Sequence, residues 1–333
     1  MQTPTALDRK GIISAVLAYS AWGFFPLYWH LIKRVSALET MSHRVIWSLI
    51  FYAAVAGAQG QLRQFGSVFR NPTVRRKLSI GAVFIAFNWL LYVWAVTHGH
   101  VMETSLGYFI IPLINVAIGA LVFKERLAPL QKLSLLFAVI GVAWLTIDYG
   151  RPPWIALGLA VTFASYGYIK KTVAGDATIL SMVETSVLVP FALFGAVAIR
   201  LSASTPLAEI DKIDAAQTSM ASDLPSVLFQ WFAPLNAALS TSPASLTTAE
   251  WALMIGGGAI TGIPLLLFGI AAQRLPLSIL GFFQYLSPSF QFLAAIYFFN
   301  EPLESSRLAG FASIWVALAI FLYHLRSTPT HRA

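Results

Sequence analysis

The sequence predicts an all-α integral membrane protein of ten transmembrane helices, arranged as two inverted five-helix repeats. Three observations carry that reading. Of 333 residues, 57% are hydrophobic and only 11% charged, against about 25% charged in soluble domains. Apolar stretches of about 20 residues, the length of a helical span, recur from end to end. One such stretch, 103–127 (ETSLGYFIIPLINVAIGALVFKERL), has a degraded copy at 278–303 (SILGFFQYLSPSFQFLAAIYFFNEPL). In each copy a Pro (Pro112, Pro288) precedes a Glu (Glu125, Glu301) by thirteen residues.

Taken in order, the expected spans are 11–32, 38–58, 78–98, 101–123, 129–147, 154–171, 178–200, 250–272, 276–299 and 305–325. Strands of a transmembrane barrel would be about ten residues long and alternate in polarity; these do neither. Arg9 and Lys10 precede the first apolar run as they would in a signal peptide. That run reaches Ile32, too long for a signal-peptide core, so it reads as an uncleaved helix. With the N-terminus inside, fifteen Lys and Arg fall on inner segments and six on outer ones, and Arg44 lies within a span. The bias predicts a multi-pass inner-membrane protein with both termini cytoplasmic. The net charge of +8 then belongs to cytoplasmic loops. Membrane lipid is an expected partner and nucleic acid is not. The absence of cysteine excludes disulfides and thiol chemistry.

The halves match beyond the opening pair. Trp22-Gly23 resembles Tyr166-Gly167, and Asn88 stands nineteen residues before Gly107 as Gly262 does before Gly281. Residues 1–149 form the first repeat, 150–325 the second, and 326–333 a cytoplasmic tail. Five spans is an odd number, so the second repeat enters from the opposite side. That inverted symmetry lets one structure open alternately to either face. Residues 201–249 break the symmetry as an extracytoplasmic insertion rich in Ala, Ser, Thr and Pro. The insertion reads as disordered or loosely packed chain, with a short interfacial helix over 224–239, or a lid over the outer mouth, as the alternatives.

Three blocks carry a family resemblance: AYSAWGFFPLYWHLIKRVSALETMSHRVIWS, the 103–127 stretch, and IPLLLFGIAAQRLPLSILGFFQYLSPSFQFLAAIYFFNEPL. Together they resemble the RarD branch of the EamA family, within the drug/metabolite transporter superfamily. The resemblance runs from about residue 10 to 323 and fails over 201–249. It implies an inner-membrane permease built from two EamA repeats, and a phenotype related to chloramphenicol. It supplies no agreed set of substrate ligands.

Candidate residues therefore come from polar side chains inside apolar spans, where a charge costs about 2.5–3.5 kcal/mol. Tyr19, Trp22, Asn88, Trp94, Tyr108, Asn115, Gln284 and Tyr285 are the substrate-cavity candidates. An apolar aromatic pocket with a few amides suits a small amphipathic molecule; the plainer roles are interfacial anchoring and helix–helix hydrogen bonding. Arg44, Glu103, Glu184 and His43 are the gating or coupling candidates. Arg44 lies roughly 9 Å into its span, within reach of Glu103, as a gate or as a structural salt bridge. Glu184 reads as a proton carrier or as half of a structural pair with Lys170, Lys171 or Arg274. Glu125 and Glu301 read as structural. Pro112 and Pro288 are helix-kink candidates that free backbone carbonyls. His98 and His100 make a poor metal signal, and no metal site is expected.

No phosphate-binding lysine loop, dinucleotide fingerprint or zinc-protease motif is present, so no cofactor is expected. The expected function is a secondary-active or facilitative permease, not an enzyme. It would move a small metabolite or drug-like molecule by alternating access through a central cavity, with protons as the candidate coupling ion. The alternatives are a non-transporting sensor or partner subunit, and a membrane-embedded enzyme on a lipid-linked substrate.

Overall fold

The computed structural model describes residues 7–32, 34–97, 101–150, 152–204, 245–299, 305–327 and 330–331. Its helices are α1 (Arg9–His30), α2 (Ala37–Ala58), α3 (Leu62–Arg70), α4 (Pro72–Thr97), α5 (Val101–Leu121) and α6 (Pro129–Tyr149). They continue with α7 (Trp154–Thr172), α8 (Ala177–Ser204), α9 (Thr248–Arg274), α10 (Leu277–Gln284), α11 (Leu286–Phe299) and α12 (Ser305–Ser327). Among the described residues the only strands are β1 (Leu7–Asp8) and β2 (Thr330–His331), paired in parallel. Residues 205–244 of the insertion lie outside the described residues, as do His98, His100 and Glu301.

Six spans are by themselves long and apolar enough to cross a membrane: α1, 177–200, α9, 277–298, 308–326 and α6. Leu121, Ile147, Phe191, Phe194 and Tyr297 are each at least 75% exposed. Acyl chains accommodate an apolar exterior of that kind and water does not. The protein is a multi-pass helical membrane protein.

Several helix starts are capped locally. Asp8 accepts from the amides of Lys10 (2.8 Å) and Gly11 (3.2 Å) to open α1. Asn71 accepts from Thr73 and Val74 at α4, where Pro72 fills the first helical position. Asp176 does the same for Thr178 and Ile179 at α8. Thr247 and Glu250 close a reciprocal capping box at α9. Two helices are capped from elsewhere in the chain. Glu103 accepts from the Ile155 amide at the start of α7 (2.7 Å). Glu125 accepts from the amides of Leu277 (2.7 Å) and Ser278 (2.9 Å) at the start of α10. Both carboxylates come from the repeated stretch 103–127.

Two elements differ from the sequence expectation. The short helix α3 occupies the stretch read as a loop between the second and third spans. Its Phe65, Val68 and Phe69 pack on a core of Leu78, Ile169, Val173, Leu180 and Val183, while Arg63 and Arg70 stay exposed. The expected span 276–299 is present as one apolar span over 277–298, with its helical hydrogen bonding interrupted at Tyr285 between α10 and α11. Pro288 explains the break: it has no amide for the carbonyl four residues back, that of Gln284, and its ring clashes there. Pro112 sits within α5, which runs on unbroken.

The chain falls into two compact units, one of residues 1–28, 52–184 and 262–333, the other of 29–51 and 185–261. In the larger, α6 and α12 cross antiparallel. Ser134 donates to the Ala317 carbonyl (2.6 Å) and Ser313 to that of Phe137 (2.8 Å). Helices α5 and α10 also run antiparallel, with Gly281 set against Pro112 and Asn115. A Cβ at Gly281 would stand 2.8 Å from the Pro112 carbonyl oxygen, so only glycine permits this approach. In the smaller unit, Ile32, Val35 and Met254 form a core with Trp29, Leu246 and Leu253 around them. There Ser48 donates to the Gly258 carbonyl (3.1 Å).

Candidate substrate and coupling site

Within the larger unit, five rings from α1, α7 and α9 meet. Tyr19 packs edge-on to Trp22 (5.5 Å between centroids) and to Phe268 (6.2 Å). Trp22 reaches Phe163 (5.9 Å) and Phe268 (5.7 Å). Tyr166 stacks on Phe268 (5.8 Å, 15° between planes) and tilts against Phe163 (6.0 Å). Trp22 and Tyr166, matched in the sequence, share one partner in Phe268.

An amide pair adjoins the rings. Asn115 on α5 donates to the Gln284 side-chain oxygen at 2.9 Å. The position of a Cβ at Gly167 would lie 3.5 Å from Phe268 Cζ and 3.8 Å from Asn115 Oδ1, so that oxygen faces the cluster. Asn115 Oδ1 and the hydroxyls of Tyr19 and Tyr285 are buried and have no hydrogen-bond partner. Buried polar atoms are nearly always paired. Of the three residues, Tyr19 belongs to the aromatic cluster and Asn115 adjoins it, while Tyr285 follows Gln284 in the chain.

Tyr166 joins the rings to an ion pair. Its hydroxyl donates to Glu184 Oε2 (3.4 Å), and the Lys170 ammonium lies 5.4 Å from its ring centroid. Lys170 forms a salt bridge with Glu184 and donates to Ser181 Oγ (3.4 Å). Glu184 Oε1 is buried without a hydrogen-bond partner.

The remaining candidates are placed as follows. Asn88 donates to the Leu159 carbonyl and to Thr162 Oγ1, both at 2.9 Å, tying α4 to α7. Tyr108 meets Tyr92 edge-on at 5.9 Å. Trp94 lies on α4, its side chain outside the described residues. Glu103 has both oxygens engaged, by the Tyr149 hydroxyl (2.5 Å) and the Ile155 amide. In the smaller unit, Arg44 donates to Thr261 Oγ1 (3.0 Å) and covers the Trp29 ring at 4.7 Å. His43 lies 3.9 Å from Glu39 and packs edge-on against Trp251. The expected partners Arg44 and Glu103 are thus each engaged inside their own unit. Among the described residues no cluster of three or more His, Asp or Glu side chains is arranged for a metal.

Sequence reasoning missed Phe163, Tyr166 and Phe268 as site residues, although the match of Tyr166-Gly167 to Trp22-Gly23 had marked the place. It also missed Glu39, which is buried and pairs with Arg200. Ser36-Ala37-Leu38-Glu39 fits the helix-capping pattern, and Ser36 does receive the Glu39 amide. The Glu39 carboxylate turns instead to Arg200 and His43.

Long apolar helices with exposed apolar side chains define the class: a multi-pass helical membrane protein. Residues 9–147 match the EamA-like transporter family. The chain is 38% identical to an uncharacterized transporter of Pseudomonas aeruginosa, covering 96% of this chain and 95% of that one. It is 37% identical to the protein RarD of Escherichia coli K12, with 94% of each covered. A chloramphenicol-sensitive protein RarD of Pseudomonas aeruginosa is 24% identical over 94% of each. A solved crystal structure shares the fold at 18% identity, with a TM-score of 0.65 over 95% of this chain and 98% of that one. The chain belongs to the RarD branch of the EamA family of membrane transporters.

Proposed function

We propose that this chain is a secondary-active or facilitative permease of the inner membrane, with both termini cytoplasmic. It moves a small amphipathic molecule by alternating access between two inverted five-helix repeats, residues 1–149 and 150–325, ten spans in all. The antiparallel crossings of α5 with α10 and of α6 with α12 support the inverted relation. Each joins equivalent helices of the two halves in opposite directions, as an inverted repeat requires.

The observation that carries the reading is the pair of buried, unpartnered polar atoms on Tyr19 and Asn115, near the rings of Trp22, Phe163, Tyr166 and Phe268. Rings supply most of the contact area for a flat apolar body, and a few convergent polar atoms fix its orientation. Proton coupling is assigned to Glu184. Glu103 has both oxygens bound to the start of α7 and to Tyr149, which suits a structural tie. Glu184 has one oxygen free of partners beside the substrate cluster.

Proteoliposomes test this directly. Saturable uptake of a small aromatic compound is expected, with chloramphenicol among the first probes because one relative carries it in its name. An imposed pH gradient should change the rate for wild type and leave Glu184→Gln insensitive. A folded, reconstituted protein that moves no compound in the panel would sink the permease reading.

A further inference from the structure

We propose that Lys170 and Glu184 form an exchangeable ion pair: the carboxylate of a flat, apolar monocarboxylate takes the place of Glu184 on Lys170 while Glu184 takes up one proton. This rests on the permease reading of the same site and names its substrate class.

Lys170 is 2% exposed and is the only buried Lys or Arg among the described residues. A buried ammonium needs an anionic partner at all times, because removing that partner leaves an uncompensated charge in a medium of low dielectric. Any organic anion that enters the aromatic cluster finds this one buried cation next to it. Tyr166 makes the connection: one face stacks in the cluster against Phe268, the ammonium lies 5.4 Å from its centroid, and its hydroxyl reaches Glu184.

Glu184 is held so that it can be released. Lys170 and Tyr166 both engage Oε2, while Oε1 has no partner. Gly81 presents no side chain there; its Cβ position would be only 3.0 Å from Oε1. Glu103, held through both oxygens, has no such freedom. The ionisable groups facing Glu184 are Lys170 and Tyr166 from α7 and Tyr52 from α2. Neighbouring Lys171 is directed to the Leu275 carbonyl and Lys77 to that of Thr172.

The exchange balances. One proton converts the Glu184 carboxylate to a carboxylic acid, Lys170 keeps its three protons, and the entering carboxylate accepts the hydrogen bonds that Glu184 gives up. The site is neutral before and after, so one anion and one proton load together. A cationic substrate would instead have to expel Lys170 or make it release a proton to solvent. The ordinary range of lysine lies further from neutrality than that of glutamate, and the anion route is therefore the easier one.

Three acid–amide pairs test the proposal on the purified full chain: benzoate and benzamide, phenylacetate and phenylacetamide, indole-3-acetate and indole-3-acetamide. Calorimetry in buffers of different ionisation enthalpy reads affinity and proton uptake together. At least one acid should bind about tenfold or more tighter than its amide, a difference well inside one charge-assisted hydrogen bond. About one proton should be taken up per anion. Lys170→Gln should abolish the preference for acid, Lys170→Arg should restore part of it, and Glu184→Gln should bind acids with no proton uptake. Size-exclusion profiles identify variants that fail to fold, and the Arg and Gln pair keeps the comparison decisive if one does. Equal binding of acids and amides, binding of none of the six, proton-independent binding by wild type, or preference for benzyltrimethylammonium would each overturn the proposal. Flux of the neutral amides would still leave a permease standing. Acid binding with no flux of any compound would instead remove the permease and keep the site.

Discussion

At the scale of the residue, the ion pair between Lys170 and Glu184 carries the largest consequences. Truncating one partner strands a buried charge, so Lys170→Met and Glu184→Leu should each lose about 3–5 kcal/mol of stability. The double variant, which replaces both charges by apolar groups of similar volume, should lose less than either single one. Thermal unfolding in one detergent compares the three, and equal additive losses would argue that the two side chains do not act as a pair. Asn115 separates stability from function in a different way. Its hydrogen bond to Gln284 is worth about 0.6 kcal/mol as an average interhelical bond, so Asn115→Ala should unfold nearly as wild type does. Its transport should fall much further, because Asn115 Oδ1 faces the cluster.

Asp8 gives a pH prediction at the same scale. Burial works against its charge, but the hydrogen bonds from Arg274 and from the amides of Gly11 and Lys10 outweigh that and hold its carboxyl below the ordinary 3.8. A lowered folded value means that the contribution of the pair is fully present above the ordinary value and is lost as pH falls through the lowered one. The stability difference between wild type and Asp8→Asn should therefore be constant from neutral pH down to about 4 and vanish in stronger acid. A difference that grows on acidification would contradict this assignment.

At the scale of the element, the two long-range caps and the proline break decide how helices are placed. Removing Glu125 deprives α10 of acceptors for two amides, and Glu125→Ala should cost about 0.5–2 kcal/mol, the range of a helix cap. Saturable transport should persist in what remains folded. Pro288→Ala restores the missing amide, so α10 and α11 should join into one helix with stability equal to wild type or higher. If the break at Tyr285 shapes the site, transport should fall despite that gain. Uptake normalised to folded protein reads the outcome.

Much at this scale was legible in the sequence, because length and hydropathy report directly on spans in lipid. The starts of α5 and α6 and the end of α2 sit where the apolar pattern places them. Helix α3 escaped because its nine residues carry two Arg among four apolar side chains, and a window sized for a membrane span averages them away. Pro288 was visible, and the interruption at Tyr285 directly follows Gln284, whose carbonyl loses its amide partner four residues on. For the site, Tyr19, Trp22, Asn115, Gln284 and Glu184 stood out as polar or aromatic residues within apolar runs. Phe163 and Phe268 did not, since phenylalanine in such a run is indistinguishable from lipid-facing surface until the packing is known. Lys170 was one cation among three near Glu184, and only the fold selects it.

At the scale of the whole molecule, the stretch 103–127 links several parts of the larger unit. The stretch 103–127 contributes Glu103 to the start of α7, Glu125 to the start of α10 and Asn115 to the pair with Gln284. One repeated helix thus ties down two others and presents a polar atom to the aromatic cluster between its ends. On the proposed reading, movement of α5 relative to either partner would be felt at the aromatic cluster, as alternating access requires.

The central claim is that this cluster is where substrate is carried. Counterflow in proteoliposomes tests it most directly, with unlabelled compound loaded inside and labelled compound outside. It should be run for wild type, for Tyr166→Ala and for Asn115→Ala, at equal amounts of folded protein. A transient accumulation of label with wild type, reduced at least about tenfold in both variants, is the predicted result. Unchanged counterflow in both variants would place the substrate elsewhere and contradict the account.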